Sequence, residues 1–220
     1  MHNEEFSGVP IGDSVNKFLK EEGEKQKLLK QQVRKLFLKA HFIQDKVWVD
    51  SAFFPELMEA EFAKKGMNIS PEDEAFSIFV QLDENSDSKE PDIFLGGKQV
   101  LVVGLMVGEL LDEEGKGSMK TGYELILEAE HPVQEGNICY SFVFSNEGLW
   151  LKQKMARLIY REDELEVVEH TEPTDEISTH DLEQVQLALS LIESRIKSAM
   201  SSVNRRIDKE QPQIKWPEIP

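Results

Sequence analysis

The sequence predicts an α+β fold in which N-terminal helices precede an antiparallel meander sheet of five or six strands and a long C-terminal helix closes the chain. Two changes in apolar spacing carry this expectation. Before Pro71 the apolar residues recur with a period near 3.6, and after it the period falls to 2 while Phe, Val, Ile, Leu and Tyr become frequent. Near the end, Leu182, Val185, Leu189, Ile192, Ile196, Ala199 and Val203 return at alternating steps of three and four, the seam spacing of a coiled coil.

At the start, Asp13-Ser14-Val15 offers side-chain caps for a first helix, and Gly23 interrupts a polar stretch, so a weak or kinked beginning is expected. The strongest helical pattern runs from about Glu24 to Ile43, with Leu29, Val33, Leu36, Ala40 and Ile43 on one face and Lys30, Arg34, Lys35 and Lys39 beside it. A second helix is expected over Pro55 to Lys65, because Pro suits a first helical turn and Gly66 can end it.

Strands are expected at Ala75 to Leu82, Gln99 to Leu111, Gly122 to His131, Ile138 to Phe144, Leu149 to Tyr160 and Leu165 to Glu169. Leu151, Met155, Leu158 and Ile159 would also serve a helical face, yet the flanking turns Asn146-Glu147-Gly148 and Arg161 to Glu164 favour strand. The other connections, Asp83 to Lys89, Gly96-Gly97, Asp112 to Ser118 and Pro132 to Asn137, are turn chemistry. None is long enough for the crossover helix that a parallel pair needs, so the sheet is expected to be antiparallel. Residues 1–70 thus read as a helical segment, 71–170 as the sheet core, 171–209 as an acidic linker with its helix capped by Asp181, and 210–220 as a Pro/Trp tail. All four are taken as parts of one domain.

The chain of 220 residues carries a net charge of −17, which argues against general binding to nucleic acid or anionic lipid. The charge is uneven. Lys17 to Lys46 holds nine Lys/Arg against four Asp/Glu, whereas Arg161 to Glu183 holds ten acids against one base. The basic helix is therefore expected to be either a solvated face or one neutralised by the acidic sheet loops. A lone cysteine, Cys139, excludes an intramolecular disulfide and reads as a small buried hydrophobe in an apolar strand. Met1-His2-Asn3-Glu4-Glu5 lacks the basic, apolar pattern of a secretory signal, and the apolar run from Val100 to Met106 is far shorter than the roughly 20 residues that span a bilayer. A cytoplasmic protein is expected.

Candidate chemistry is sparse. Pro91-Asp92 with the later Glu114-Gly115-Lys116 has the residue types with which a nuclease holds Mg²⁺ and water, but the triplet falls in a turn and the surrounding charge repels phosphodiesters. Gly115-Lys116-Gly117-Ser118 lacks the upstream glycine and the following helix of a phosphate loop. Glu128, Glu130 and His131 end one strand and Glu169 and His170 another, so neighbouring strands would bring together carboxylate and imidazole ligands for a divalent metal. Alternation, which sends His131 to the opposite face, weakens that set.

The reading favoured is a non-catalytic protein-binding module, whether adaptor, client-specific chaperone or inhibitor/immunity-type protein, with no cofactor and no catalytic residue. Its partner would be another protein or a second copy of the chain, met through Leu189, Ile192, Ile196, Ala199 and Val203 of the C-terminal seam and through Trp216 of the tail. In that homodimer form the first half of the seam packs on the sheet and the second half, Ile196 to Ile207, meets the other chain. The alternatives are a metal-dependent hydrolase or nuclease using Glu128, Glu130, His131 or Asp92, and an acidic mimic of nucleic acid.

Overall fold

The computed structural model describes residues 11–70, 76–82, 92–111, 117–130, 136–145, 148–161, 164–171 and 178–210, with side chains described for 17–69, 76–82, 92–107, 122–130, 136–145, 148 and 178–209. Two helices, α1 (Ile11–Phe53) and α2 (Pro55–Lys64), lead into β1 (Met67–Ser70) and β2 (Ser77–Gln81). A small hairpin of β3 (Phe94–Leu95) and β4 (Lys98–Gln99) follows, turning on Gly96 and Gly97, both at positive φ. The long strands β5 (Val102–Leu111), β6 (Gly117–Glu130), β7 (Asn137–Phe144), β8 (Leu149–Arg161) and β9 (Glu164–Thr171) precede α3 (Thr179–Glu210).

The large sheet has seven strands in the order β1-β2-β5-β6-β7-β8-β9, every neighbouring pair antiparallel. All six expected strands are present, and the ambiguous segment at Leu149 pairs on both sides as a strand. The additional strand is β1, whose four residues are too few for periodicity to register. Strand β6 also starts earlier than expected, at Gly117.

Register explains how the core forms. Ile78, Leu105, Leu125 and Phe142 stand in one row across four strands, and Val80, Val103, Leu127 and Tyr140 in the next row on the same face. All eight are buried, in a single cluster with Val33, Leu36, Ala40, Ile43 and Val47 of α1 and the seam of α3. The helices therefore supply the second layer that a one-faced sheet requires.

Local chemistry sets the helix ends. Pro55 disfavours helical backbone in the residue before it, and Phe54 leaves the helix at φ −141°, so α1 stops and α2 begins with Pro55 in its first turn. Gly66 at φ +65° closes α2, donating its N–H to Ala63 at 3.1 Å. At the start of α3, Ser178 is the cap rather than Asp181. The Asp181 N–H donates to Ser178 Oγ at 3.1 Å while the Ser178 N–H donates to Asp181 Oδ2 at 3.1 Å, a reciprocal capping box with Asp181 at its third position.

Helix α1 departs from expectation at its front. It starts at Ile11, so Asp13 and Ser14 fall inside the first turn, and it continues through Gly23. Glycine costs a helix roughly 0.5–1 kcal/mol relative to alanine, and here the local pairs Lys17–Glu21 at 3.9 Å and Lys25–Glu22 at 2.7 Å act in the opposite sense. Leu29, expected on the core face, is 40% exposed, and burial begins only at Val33.

Candidate interaction surface

The seam of α3 is covered from within. Leu182, Val185, Leu189, Ile192, Ile196, Ala199 and Val203 are each no more than 4% exposed, the cover being α1, α2, the β3–β4 hairpin and the sheet core. The half from Ile196 onward, expected to meet a second chain, is as buried as the first half: Leu187, Ala188 and Leu191 widen the stripe in front, and Met200 and Ile207 pack at the back. Thus Leu189, Ile192, Ile196, Ala199 and Val203 belong to the chain's own core. Trp216 lies outside the described residues.

Helix α1 has two apolar faces. At 3.6 residues per turn, Leu38, Phe42, Val49 and Phe53, spaced by four, seven and four, share one side, roughly opposite the buried Val33–Leu36–Ala40–Ile43–Val47 stripe. These four side chains are exposed by 55, 49, 55 and 72%, values high enough that neither the sheet nor α3 covers them. One turn earlier the same helix carries Lys27, Lys30, Arg34 and Lys35, all exposed and in no ion pair with a described residue. Lys39, the next cation along the helix, is neutralised by Glu193 of α3 at 3.1 Å, with Ser190 Oγ accepting from it at 2.6 Å. The 4-7-4 spacing is present in the sequence, but the 3-4 stripe on the opposite side is the stronger signal, and periodicity alone does not say which of two stripes meets the sheet.

Polar contacts hold this helix in a defined rotation. The Tyr123 hydroxyl, on a fully buried ring of β6, donates to Gln44 Oε1 at 2.6 Å and lies 2.9 Å from His41 Nδ1. The Phe37 ring meets Tyr123 edge-on at 5.5 Å. Burial, and after it the charge of Asp45, pushes the phenol well above its ordinary range, so it remains a neutral donor.

A hollow lies where the end of α1 meets α2 and β1. Two adjoining cavities of about 280 and 260 Å³ share Ser51, Pro55 and Ile69. Met58, Phe62 and Met67 line one, and Val47, Trp48 and Phe76 the other. Trp48, Phe53 and Phe54 stand exposed around it, and β1 is an outer strand of the sheet.

The metal-ligand candidates do not converge. Strand β6 pairs with β5 and β7, while β9 pairs only with β8, so two strands separate Glu128 and Glu130 from Glu169 and His170. Glu128 accepts from Asn137 Nδ2 at 2.5 Å, Glu130 and Asp92 are exposed, and His131 lies outside the described residues with Glu114, Gly115 and Lys116. Among the described residues no group of three His, Cys, Asp or Glu is placed to hold a metal ion. Cys139 stands opposite Glu128 in the register and is buried. Burial first, then the charges of Glu128 and Glu124, push its thiol up to about 12.

Among the described residues no helix is long and apolar enough to cross a membrane. Comparison with family models, curated proteins and solved structures finds no match to this chain.

Proposed function

We propose that this protein is a non-catalytic protein-binding module whose docking surface is the outer face of α1. The observation that carries the reading is the exposed stripe of Leu38, Phe42, Val49 and Phe53 on a helix whose opposite face is already committed to the core. Burying such side chains contributes roughly 1.5–3 kcal/mol each, so a partner able to cover the stripe has a strong driving force. The cations one turn upstream favour a partner whose apolar groove is rimmed by carboxylates, and they set its register along the helix.

A cytoplasmic setting belongs to the same proposal, supported by the single buried cysteine, Cys139. The test is a photo-cross-linking residue placed at Val49, and in a second protein at Glu59 as a control, in cells that make the protein natively. A defined heterologous adduct at position 49, absent at 59 and lost on Phe42→Asp, supports the reading. Adducts only between copies of this chain would replace it with self-association, and none at either position would end it.

A further inference from the structure

We infer that the outer stripe of α1 is self-complementary: when no other partner covers it, two copies of this chain pair along α1, antiparallel, about a twofold axis that passes between Asp45 and Lys46. The inference rests on the reading of that face as a docking surface and names its occupant in the isolated protein.

The spacing is the first argument. Leu38, Phe42, Val49 and Phe53 follow one another at steps of four, seven and four residues, an order that reads the same from either end. Its midpoint falls between Asp45 and Lys46, so reversing the helix about that point carries Leu38 onto Phe53 and Phe42 onto Val49. Two such helices laid antiparallel therefore set each phenylalanine against an aliphatic side chain of the other copy, with matched bulk in every row. Laid parallel, they would set phenylalanine against phenylalanine and leave the aliphatic rows thin.

Charge is the second argument. Upstream of Leu38 the helix carries Lys27, Lys30, Arg34 and Lys35, and just beyond Phe53 the first turns of α2 carry Glu56 and Glu59, all exposed and in no ion pair with a described residue. Antiparallel pairing brings the cations of each copy toward the acids of the other, at both ends of the contact. Parallel pairing would put cations beside cations. At the axis itself Lys46 stands near its own copy on one rim of the stripe and Asp45 near its own on the other, a local repulsion that limits the affinity.

Geometry is the third. The stripe lies roughly opposite the buried face of Val33 to Val47, so the two sheets remain on the outer sides of the helix pair. The Tyr123 hydroxyl bond to Gln44 holds α1 in the rotation that presents the stripe, so little ordering accompanies association. From Leu38 to Phe53 the helix runs for about 22 Å and is about 10–12 Å wide, a footprint smaller than the roughly 800 Å² per partner of a standard interface. The pairing is therefore weak and exchangeable, and another protein that covers the stripe displaces the second copy.

The test is sedimentation equilibrium of the purified full chain at low and at high micromolar concentration. The expected mass climbs from monomer toward dimer, whereas Phe42→Asp and Phe53→Asp, both at exposed positions, stay monomeric with a native circular dichroism spectrum. Lys46→Gln relieves the repulsion at the axis and should tighten the pairing about threefold, the worth of an exposed charge pair. In a parallel pair, where Lys46 faces Asp45, the same change would weaken it. A short bismaleimide should join two copies of Lys46→Cys, which meet at the axis, and not two copies of Lys20→Cys, which stand at opposite ends of the pair. A monomer at every concentration would overturn the inference while leaving a heterologous adduct at Val49 free to uphold the docking reading. A dimer indifferent to Phe42 and Phe53, weakened by Lys46→Gln, or joined as readily at position 20 would overturn it as well.

Discussion

Arg206 of α3 and Glu61 of α2 meet at 2.5 Å around a carboxylate whose side chain is only 6% exposed and which Lys64 also approaches at 3.1 Å. The Lys64 hydrogen bond, opposed by desolvation and aided by the charge of Arg206, holds the Glu61 carboxyl below its ordinary range. A carboxyl depressed in the folded state contributes stability that is complete above its unfolded value, about 4.3, and is lost as pH falls through the lower folded value. Glu61→Gln should therefore unfold at lower temperature than the native sequence at pH 7, the two curves converging toward pH 3. Parallel curves across that range would remove Glu61 from the account of how α2 is tied to α3.

Tyr123→Phe keeps the ring that packs on Phe37 and removes the hydroxyl that meets Gln44 and His41. The expected loss is about 0.5–1.5 kcal/mol in urea unfolding with an unchanged denaturant slope. A change in slope would mean that α1 had separated from the sheet.

Gly104 lies beneath Phe79 on the face of the sheet away from α1. A methyl group there would stand 2.6 Å from Phe79 Cε1 and 3.5 Å from Ile126 Cβ, so the ring has to move. Gly104→Ala should cost about 1–3 kcal/mol, and the double variant with Phe79→Ala should be non-additive because it removes the clash. Additive losses would show that the crowding is relieved elsewhere.

Cys139, with its thiol pushed up to about 12, is un-ionised in neutral or mildly alkaline solution. In the folded protein it should resist a thiolate-directed reagent at pH 8 and react at the rate of a free thiol once unfolded in guanidinium, as a colorimetric thiol assay can follow. Fast native labelling would mean that β6 and β7 separate readily.

Two aspartates separate core from surface. Ile192→Asp puts a charge among fully buried side chains and should leave the protein unfolded, whereas Phe42→Asp, at a residue 49% exposed, should change stability by no more than about 0.5 kcal/mol. Circular dichroism melts of the pair would distinguish the roles of α3 and α1.

The α+β architecture was legible because strand alternation and the α3 seam are strong periodic signals, and each of the six expected strands was found. The cover of that seam was not legible. Leu189 and Val203 look the same in sequence whether a sheet, a helix of the same chain or another molecule buries them, and only the fold decides. Val33, Leu36, Ala40 and Ile43 were read correctly as a core face, while Leu29 at the same spacing was not, because the helix outruns the body it packs on. Glu128 and Glu169 failed as a pair for a different reason: strand order is a long-range property that the composition of single strands does not encode.

That outrun of α1 changes what an approaching molecule meets. From Lys17 to Gln32 every side chain is exposed except the half-buried Glu22, so these four turns hold themselves up by local hydrogen bonding. They run for about 24 Å at 1.5 Å per residue, whereas charge fades over about 8 Å in physiological salt. Within the arm five Lys stand against three Glu, so its net charge is opposite in sign to the −17 of the whole chain. A charged partner that meets the arm should therefore respond to ionic strength in the opposite sense to one that meets the acidic remainder of the chain.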